Sequence, residues 1–125
     1  MKRADSPASC CPAEEAMEVF GGKWQVGIIH HLSVGPLRFN ELRSRLPRIT
    51  QKMLTQQLCH LQRYGLIKRE QFSEIPPRVE YSLMTLGKSM FPLLEQITQW
   101  SKKHMHGLRE AAGVYDAAND RQTRI

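Results

Sequence analysis

A mainly α-helical domain with one small β-hairpin, an α+β fold, is what this sequence predicts, and three observations predict it. After an acidic, proline-led opening turn, apolar residues recur at helical spacing in three stretches between Lys23 and Tyr64. The period then shortens to two over Leu66–Phe72 and again over Arg78–Leu83, before helical spacing returns from Met84. With 125 residues, 41% of them hydrophobic and 24% charged, the chain suits one globular domain with a modest core.

The elements follow in order. Residues 1–11 have no apolar period and are expected to form a mobile arm ending at Cys10 and Cys11. Pro12 suits the first position of a helix, Glu14 and Glu15 favour its dipole, and Gly21 and Gly22 stop it. Lys23–Leu32 places Trp24, Ile28, Ile29 and Leu32 on one face of a second helix. Gly27 within it costs about 1 kcal/mol relative to Ala and allows close helix packing. Gly35 and Pro36 turn the chain into a third helix, with Phe39, Leu42 and Leu46 inward, Arg38, Arg43 and Arg45 outward, and Pro47 as its end.

Pro47, Arg48 and Ile49 alone separate that helix from Thr50, whose hydroxyl can cap a fourth helix reaching Tyr64 and stopped by Gly65. Leu54, Leu58 and Leu61 form its inner face. Lys52, Gln56 and Arg63 point away, flanked by Thr55 and Cys59, with His60 on the other shoulder and no carboxylate among them. Alone this would be an ordinary amphipathic surface helix, but the three-residue connection is that of a helix-turn-helix, whose second helix enters the major groove of DNA. The alternating segments that follow pair as a hairpin around SEIPPR, a wing whose stiff tip is expected to aim Arg78 at phosphates or the minor groove. From Met84 to about Glu110 a single long helix is expected, capped by Thr85, with Met90, Leu93, Leu94, Ile97, Trp100, His104 and Leu108 as an apolar seam. A winged helix-turn-helix domain over residues 12–112 and a polar, poorly ordered tail over residues 113–125 complete the reading.

The net charge of +6 is unevenly distributed: −2 over residues 1–20, +6 over 21–82 and +2 over 83–125. The excess thus brackets the fourth helix, which points to a polyanion, double-stranded DNA, as partner. Gln51, Lys52, Thr55 and Gln56 are the candidates for base edges, because the first turns of such a helix enter deepest, Gln pairs with adenine and Lys favours guanine. Arg43, Arg45, Arg48, Lys68 and Arg78 are the phosphate candidates, each weighed against a plain solvated charge. The apolar surplus of the last helix, at Met90, Leu93, Leu94, Ile97 and Trp100, calls for a two-fold partner and hence a homodimer.

Other classes find no support. No apolar run approaches the length of a membrane span and the N-terminus lacks a signal-peptide core, so a cytoplasmic protein is expected, with no membrane partner. His30-His31 and His104-Met105-His106 lack the i, i+4 spacing of a helical ligand pair, so no metal is expected. No phosphate loop or nucleophile motif appears, so no catalytic residue, cofactor or enzymatic activity is expected.

Taken together, Cys11-Pro12, GGKW (Gly21–Trp24), RFNEL (Arg38–Leu42), ITQKMLTQQLCHLQRYGLIKR (Ile49–Arg69) and PPRVEYSLMTLGKS (Pro76–Ser89) make the chain resemble the HxlR-type winged helix-turn-helix regulators of bacteria, over residues 11 to about 90. Met84-Thr85 stands where that family commonly has Leu-Thr. The resemblance implies a transcriptional regulator, dimeric through its N-terminal and final helices, that binds a roughly palindromic operator and usually represses a neighbouring gene. It also implies a candidate sensor of oxidants or electrophiles, since some members use a cysteine just before the first helix, where Cys11 stands.

Physical chemistry agrees that a thiol at a helix N-terminus is activated by free N–H groups. Cys10 is a candidate resolving thiol, although a disulfide between neighbours is strained. Cys59, on the outward face of the fourth helix, is a further candidate at which an adduct would obstruct docking. Against all three stands the ordinary role of cysteine as a small hydrophobe. Two alternatives remain open: a winged-helix protein-interaction module, and a regulator answering a small-molecule effector, for instance in an apolar pocket near Phe20 and Trp24, with no redox role.

Overall fold

The computed structural model describes residues 11–123. The chain forms α1 (Pro12–Phe20), α2 (Gln25–Leu32), α3 (Phe39–Arg45), α4 (Gln51–Arg63), β1 (Ile67–Phe72), β2 (Arg78–Leu83), α5 (Thr85–Lys88) and α6 (Phe91–Thr123). It divides into two compact units, one running through Ser89 and the other beginning at Met90.

In the first unit the predicted inner faces converge. Ile28 and Ile29 of α2, Leu42 of α3, and Leu54, Leu58 and Leu61 of α4 are wholly enclosed, with Phe20, Leu32, Leu37, Leu46, Ile49, Leu66, Ile67, Tyr81 and Leu83 completing the core. A β-carbon at Gly27 would stand 3.4 Å from Leu46 Cδ2, at the edge of ordinary van der Waals contact, so α2 passes close to the end of α3 without requiring a glycine there. The second helix starts two residues later than its apolar spacing suggested. The reason is Gln25, whose Oε1 accepts from the Gly22 N–H at 2.5 Å and closes a turn ahead of the helix. Residue Leu46 leaves helical geometry with ψ near 84°, as a residue preceding proline is pushed to do, so α3 ends at Arg45.

Two junctions fix α4. At its start the Thr50 hydroxyl accepts from the Met53 N–H at 3.0 Å, the expected cap. At its end Gly65 takes a φ of 75°, with Gly65 N–H donating to Gln62 and Leu66 N–H to Leu61, both at 3.0 Å. This is a Schellman closure, which satisfies carbonyls of the last turn and aims the chain into β1.

β1 and β2 pair antiparallel from Ile67↔Leu83 to Phe72↔Arg78. Ile67, Tyr81 and Leu83 face the core, while Lys68, Arg69, Glu70 and Gln71 stay exposed. A feature absent from the periodicity is a short bridge beside β2: Leu37 N–H donates to the Tyr81 carbonyl at 3.0 Å, and Tyr81 N–H to the Leu37 carbonyl at 2.8 Å. It ties the loop before α3 to the wing.

The expected single final helix is two helices. α5 is one turn, with Met84 rather than Thr85 at the cap position and no side chain bonded to the free N–H groups. Gly87 in that turn lies so close to the Leu66 carbonyl oxygen that any β-carbon would overlap it. The second unit, α6, runs 33 residues to Thr123, so the segment expected as a disordered tail is helical through that residue. Asp and Glu are few there and Ala111, Ala112, Ala117 and Ala118 are strong helix formers, which outweigh the polarity of the segment.

Candidate nucleic-acid interface

α4 is held from behind and left open in front. Besides its three buried leucines, two polar contacts anchor it to the helices before it. Gln25 of α2, itself buried, donates from Nε2 to Gln57 Oε1 at 2.9 Å. His60 Nε2 lies 2.7 Å from the Val19 carbonyl oxygen of α1. Sequence spacing revealed neither: Gln25 and Gln57 look like surface amides, and nothing in a linear pattern pairs residues 32 positions apart.

The four residues expected to read bases, Gln51, Lys52, Thr55 and Gln56, are all exposed on the first two turns of α4. The Thr55 hydroxyl donates to the Gln51 carbonyl at 2.9 Å, which fixes its rotamer and turns its lone pairs outward as acceptors. Cys59 is exposed one turn further along, in line with Gln51 and Thr55.

Arg43 and Arg45 are exposed on α3 and Arg48 in the turn between the two helices. Arg48 adopts a φ of 72°, a left-handed conformation uncommon for a non-glycine residue, between Pro47 and the buried Ile49. Among the described residues no ion pair ties Arg43, Arg45, Arg48, Lys52 or Arg63. The single carboxylate between Pro36 and Arg63, Glu41, is turned back to accept from the Arg38 N–H at 2.8 Å. The result is a surface of unneutralised cations around an amide- and hydroxyl-bearing helix.

The wing is different. Lys68 is exposed, 3.8 Å from Glu70, a pairing too solvated to hold it. Arg78 is not displayed at the tip: it opens β2, with its guanidinium 4.0 Å over the Phe72 ring and bonded to Glu80 at 3.0 Å and Glu74 at 3.3 Å.

Cys11 is exposed at the N-cap position of α1, its carbonyl accepting from Glu14 at 2.9 Å. Cys10 lies outside the described residues. His31, on the last turn of α2, has its pKa lowered by burial first and then by the nearby charges of His30 and Arg45. The Trp24 indole N–H is enclosed without an acceptor among the described residues, and Lys23 Nζ stands 5.0 Å over its ring. Among the described residues no cluster of ligands suited to a metal ion occurs and no helix is long and apolar enough to cross a membrane.

On α6, Leu93, Ile97 and Trp100 are exposed and Leu94 is half-buried, while Met90, just ahead of the helix, is buried. The exposed apolar positions continue past Leu108 to Val114 and Tyr115.

Comparison with known proteins places this arrangement. The family model for HxlR-like helix-turn-helix proteins matches residues 19–108. YdeP of Bacillus subtilis, a helix-turn-helix-type transcriptional regulator, is 44% identical over 94 residues, which span 75% of this chain and 73% of YdeP. The crystal structure of ytcD, a regulator of the same type, superposes with a TM-score of 0.73 at 42% identity, covering 77% of this chain and 98% of that one. The redox regulator HypR superposes in its reduced form with a TM-score of 0.75 at 39% identity, over 80% of this chain and 99% of HypR. Its oxidised form gives 0.70 at 41% identity, over 75% and 97%.

Proposed function

Because this chain belongs to the HxlR-like helix-turn-helix family of transcriptional regulators, we propose that it works as a homodimeric repressor of a roughly palindromic operator, released when Cys11 is oxidised. The observation that carries the DNA-binding reading is the front of α4: Gln51, Lys52, Thr55 and Gln56 exposed together, with free cations on both sides and the lone nearby carboxylate turned away.

In this reading Gln51 and Gln56 offer paired donor and acceptor groups to adenine edges, Lys52 donates to guanine, and Thr55 supplies an acceptor. Arg43, Arg45, Arg48 and Lys68 hold the phosphates and set the register. Two copies joined through α1 and α6 bring two α4 helices about 34 Å apart, one turn of DNA, so both read one face of the duplex. The exposed stripe of Leu93, Ile97 and Trp100 supports such a partner, because an apolar surface of that size is costly to leave in water.

The thiol step is written for a disulfide between subunits. Two Cys11 thiols, one from each protomer, lose two protons and two electrons to form one S–S bond, and an oxidant such as diamide takes both up to become a hydrazine. The exposed position of Cys11 at the head of α1 supports it, as does the similarity to HypR, a redox regulator solved in both oxidation states.

The test is footprinting on DNA from immediately upstream of the chain's own gene, with reduced protein, diamide-treated protein and Cys11→Ser. Protection of a short symmetric site by reduced protein, lost on oxidation of wild type but kept by Cys11→Ser, is the expected result. A site held equally by oxidised wild type removes the thiol switch and leaves the operator reading standing.

A further inference from the structure

The wing pairs a neutralised arginine with an apolar tip, and the combination points to a mode of contact other than phosphate binding. Arg78 faces Phe72 across the last pair of the ladder and lies over its ring at 4.0 Å. Its Nη1 bonds Glu80 Oε2 at 3.0 Å and its Nη2 reaches Glu74 Oε1 at 3.3 Å. One cation between two carboxylates leaves the group net negative, with no charge to spare for a phosphate. Nε of the same guanidinium is enclosed and finds no acceptor among the described residues, so the group is turned in against the hairpin.

What the loop does present is Ile75, fully exposed, beside the exposed Pro76 and Pro77. A single exposed isoleucine is unremarkable on a protein surface. Here it stands on a hairpin that leaves α4 through the Leu61–Leu66 closure and is followed directly by two prolines, and the β-branched isoleucine and the proline rings have little conformational freedom to lose on insertion. Isoleucine and proline side chains can enter the minor groove as wedges that partly unstack a base step and bend the duplex.

We propose, building on the DNA-binding reading above, that the wing tip enters the minor groove as an apolar wedge formed by Ile75 with Pro76 and Pro77. Arg78 is a positioning residue: it braces the tip on Phe72 and masks Glu74 and Glu80 from the phosphate backbone. Phosphate contact from the wing then falls to Lys68 and Arg69, exposed on β1.

The experiment titrates the protected operator duplex, at several salt concentrations, with the full chain and its Ile75→Ala and Arg78→Gln variants. Arg78→Gln is also made in a Glu74→Gln, Glu80→Gln background. Ile75→Ala is expected to bind about ten-fold more weakly, the scale of one apolar side chain returned to water, with an unchanged salt slope and a smaller bend by energy transfer between duplex ends. Arg78→Gln is expected to weaken binding in the native background and to do so far less where both carboxylates are gone. Wild-type affinity and bend in Ile75→Ala overturn the wedge. A salt slope shallower by about 0.9 for each copy in Arg78→Gln, with the same loss in both backgrounds, makes Arg78 a phosphate contact and overturns the masking role. Failure of the wild-type chain to bind any duplex overturns the DNA-binding reading, and the wedge with it.

Discussion

His60 on α4 reaches back to α1, its Nε2 standing 2.7 Å from the carbonyl oxygen of Val19. Val19 lies in the last turn of α1, where a carbonyl has no partner within its own helix, and the imidazole fills that need as donor. The helix headed by Cys11 is thereby bonded to α4, the helix proposed to read DNA.

His60→Ala orphans this partly buried carbonyl and is expected to lower stability by about 1–3 kcal/mol in denaturant titration. His60→Gln, which keeps a donor, should lose less. If the thiol signal travels along α1, diamide should also release His60→Ala from the operator less completely than wild type. Equal stability of all three proteins would mean that water replaces the bond.

Gly87 supplies a second test. A β-carbon there overlaps the Leu66 carbonyl oxygen and comes within 3.1 Å of Leu83 Cδ2. The Leu66 carbonyl cannot retreat freely, because it also accepts from the Met84 N–H at 2.9 Å. Gly87→Ala is expected to destabilise by about 1–3 kcal/mol, the usual range for overpacking, despite the better helix propensity of alanine. Gly107→Ala on α6 meets nothing within 4 Å and should be neutral or stabilising by the same denaturation measurement.

These two contacts mark the limit of what the sequence discloses. Leu54, Leu58 and Leu61 announced the buried face of α4 because burial on a helix imposes a period, and the exposure of Gln51, Lys52, Thr55 and Gln56 follows from the same geometry. Thr50, Gly65 and the alternation across the wing were likewise local signals. Long-range partners carry no such signal, so Gln25 with Gln57, His60 with Val19 and Leu37 with Tyr81 were invisible. The break at Ser89 and Met90 hides inside an uninterrupted apolar spacing, and the helix beyond Gly113 hides behind its polarity. Arg78 was expected to be aimed outward from the wing tip, but its environment depends on Phe72, Glu74 and Glu80 closing around it.

Acid should act through His31. Its folded pKa lies below the ordinary 6.5, chiefly because burial disfavours the charged form, with His30 and Arg45 adding repulsion. The unfolded chain therefore takes up the proton first. Stability is full above 6.5 and falls as the pH drops from there to the depressed folded value, below which the term is constant. In thermal melts across that window, His31→Gln should show a flatter dependence on pH than wild type. Parallel curves would show that another group controls acid sensitivity.

Assembly should depend on α6. Ile97→Asp and Trp100→Glu introduce charge at exposed positions of one helix face, so the fold has no reason to be disturbed while a two-fold contact through that face would be. Both variants are expected to sediment as monomers, with helical content kept by circular dichroism, and to lose operator affinity at concentrations where wild type is dimeric. Variants that sediment as wild type would move the interface off this stripe.

Base reading and phosphate holding should separate at Gln56 and Arg48. Gln56 is exposed on the second turn of α4 and offers an amide that can satisfy one adenine edge, so Gln56→Ala is expected to cost about 1–3 kcal/mol on the operator and little on random DNA. Its discrimination should relax at one position of each half-site. Arg48 contributes charge from a turn whose φ of 72° suits glycine better than arginine. Arg48→Gly should therefore leave stability unchanged or raise it by about 1 kcal/mol, as backbone strain is relieved. It should weaken operator and random duplexes alike and make the salt slope shallower by about 0.9 for each copy's lost contact. Quantitative titrations on operator, single-base variants and random DNA, paired with denaturation curves, read both effects at once. A loss at Arg48→Gly confined to the operator would assign that side chain to base or groove-shape recognition, and equal losses on every duplex for Gln56→Ala would take α4 out of the reading role.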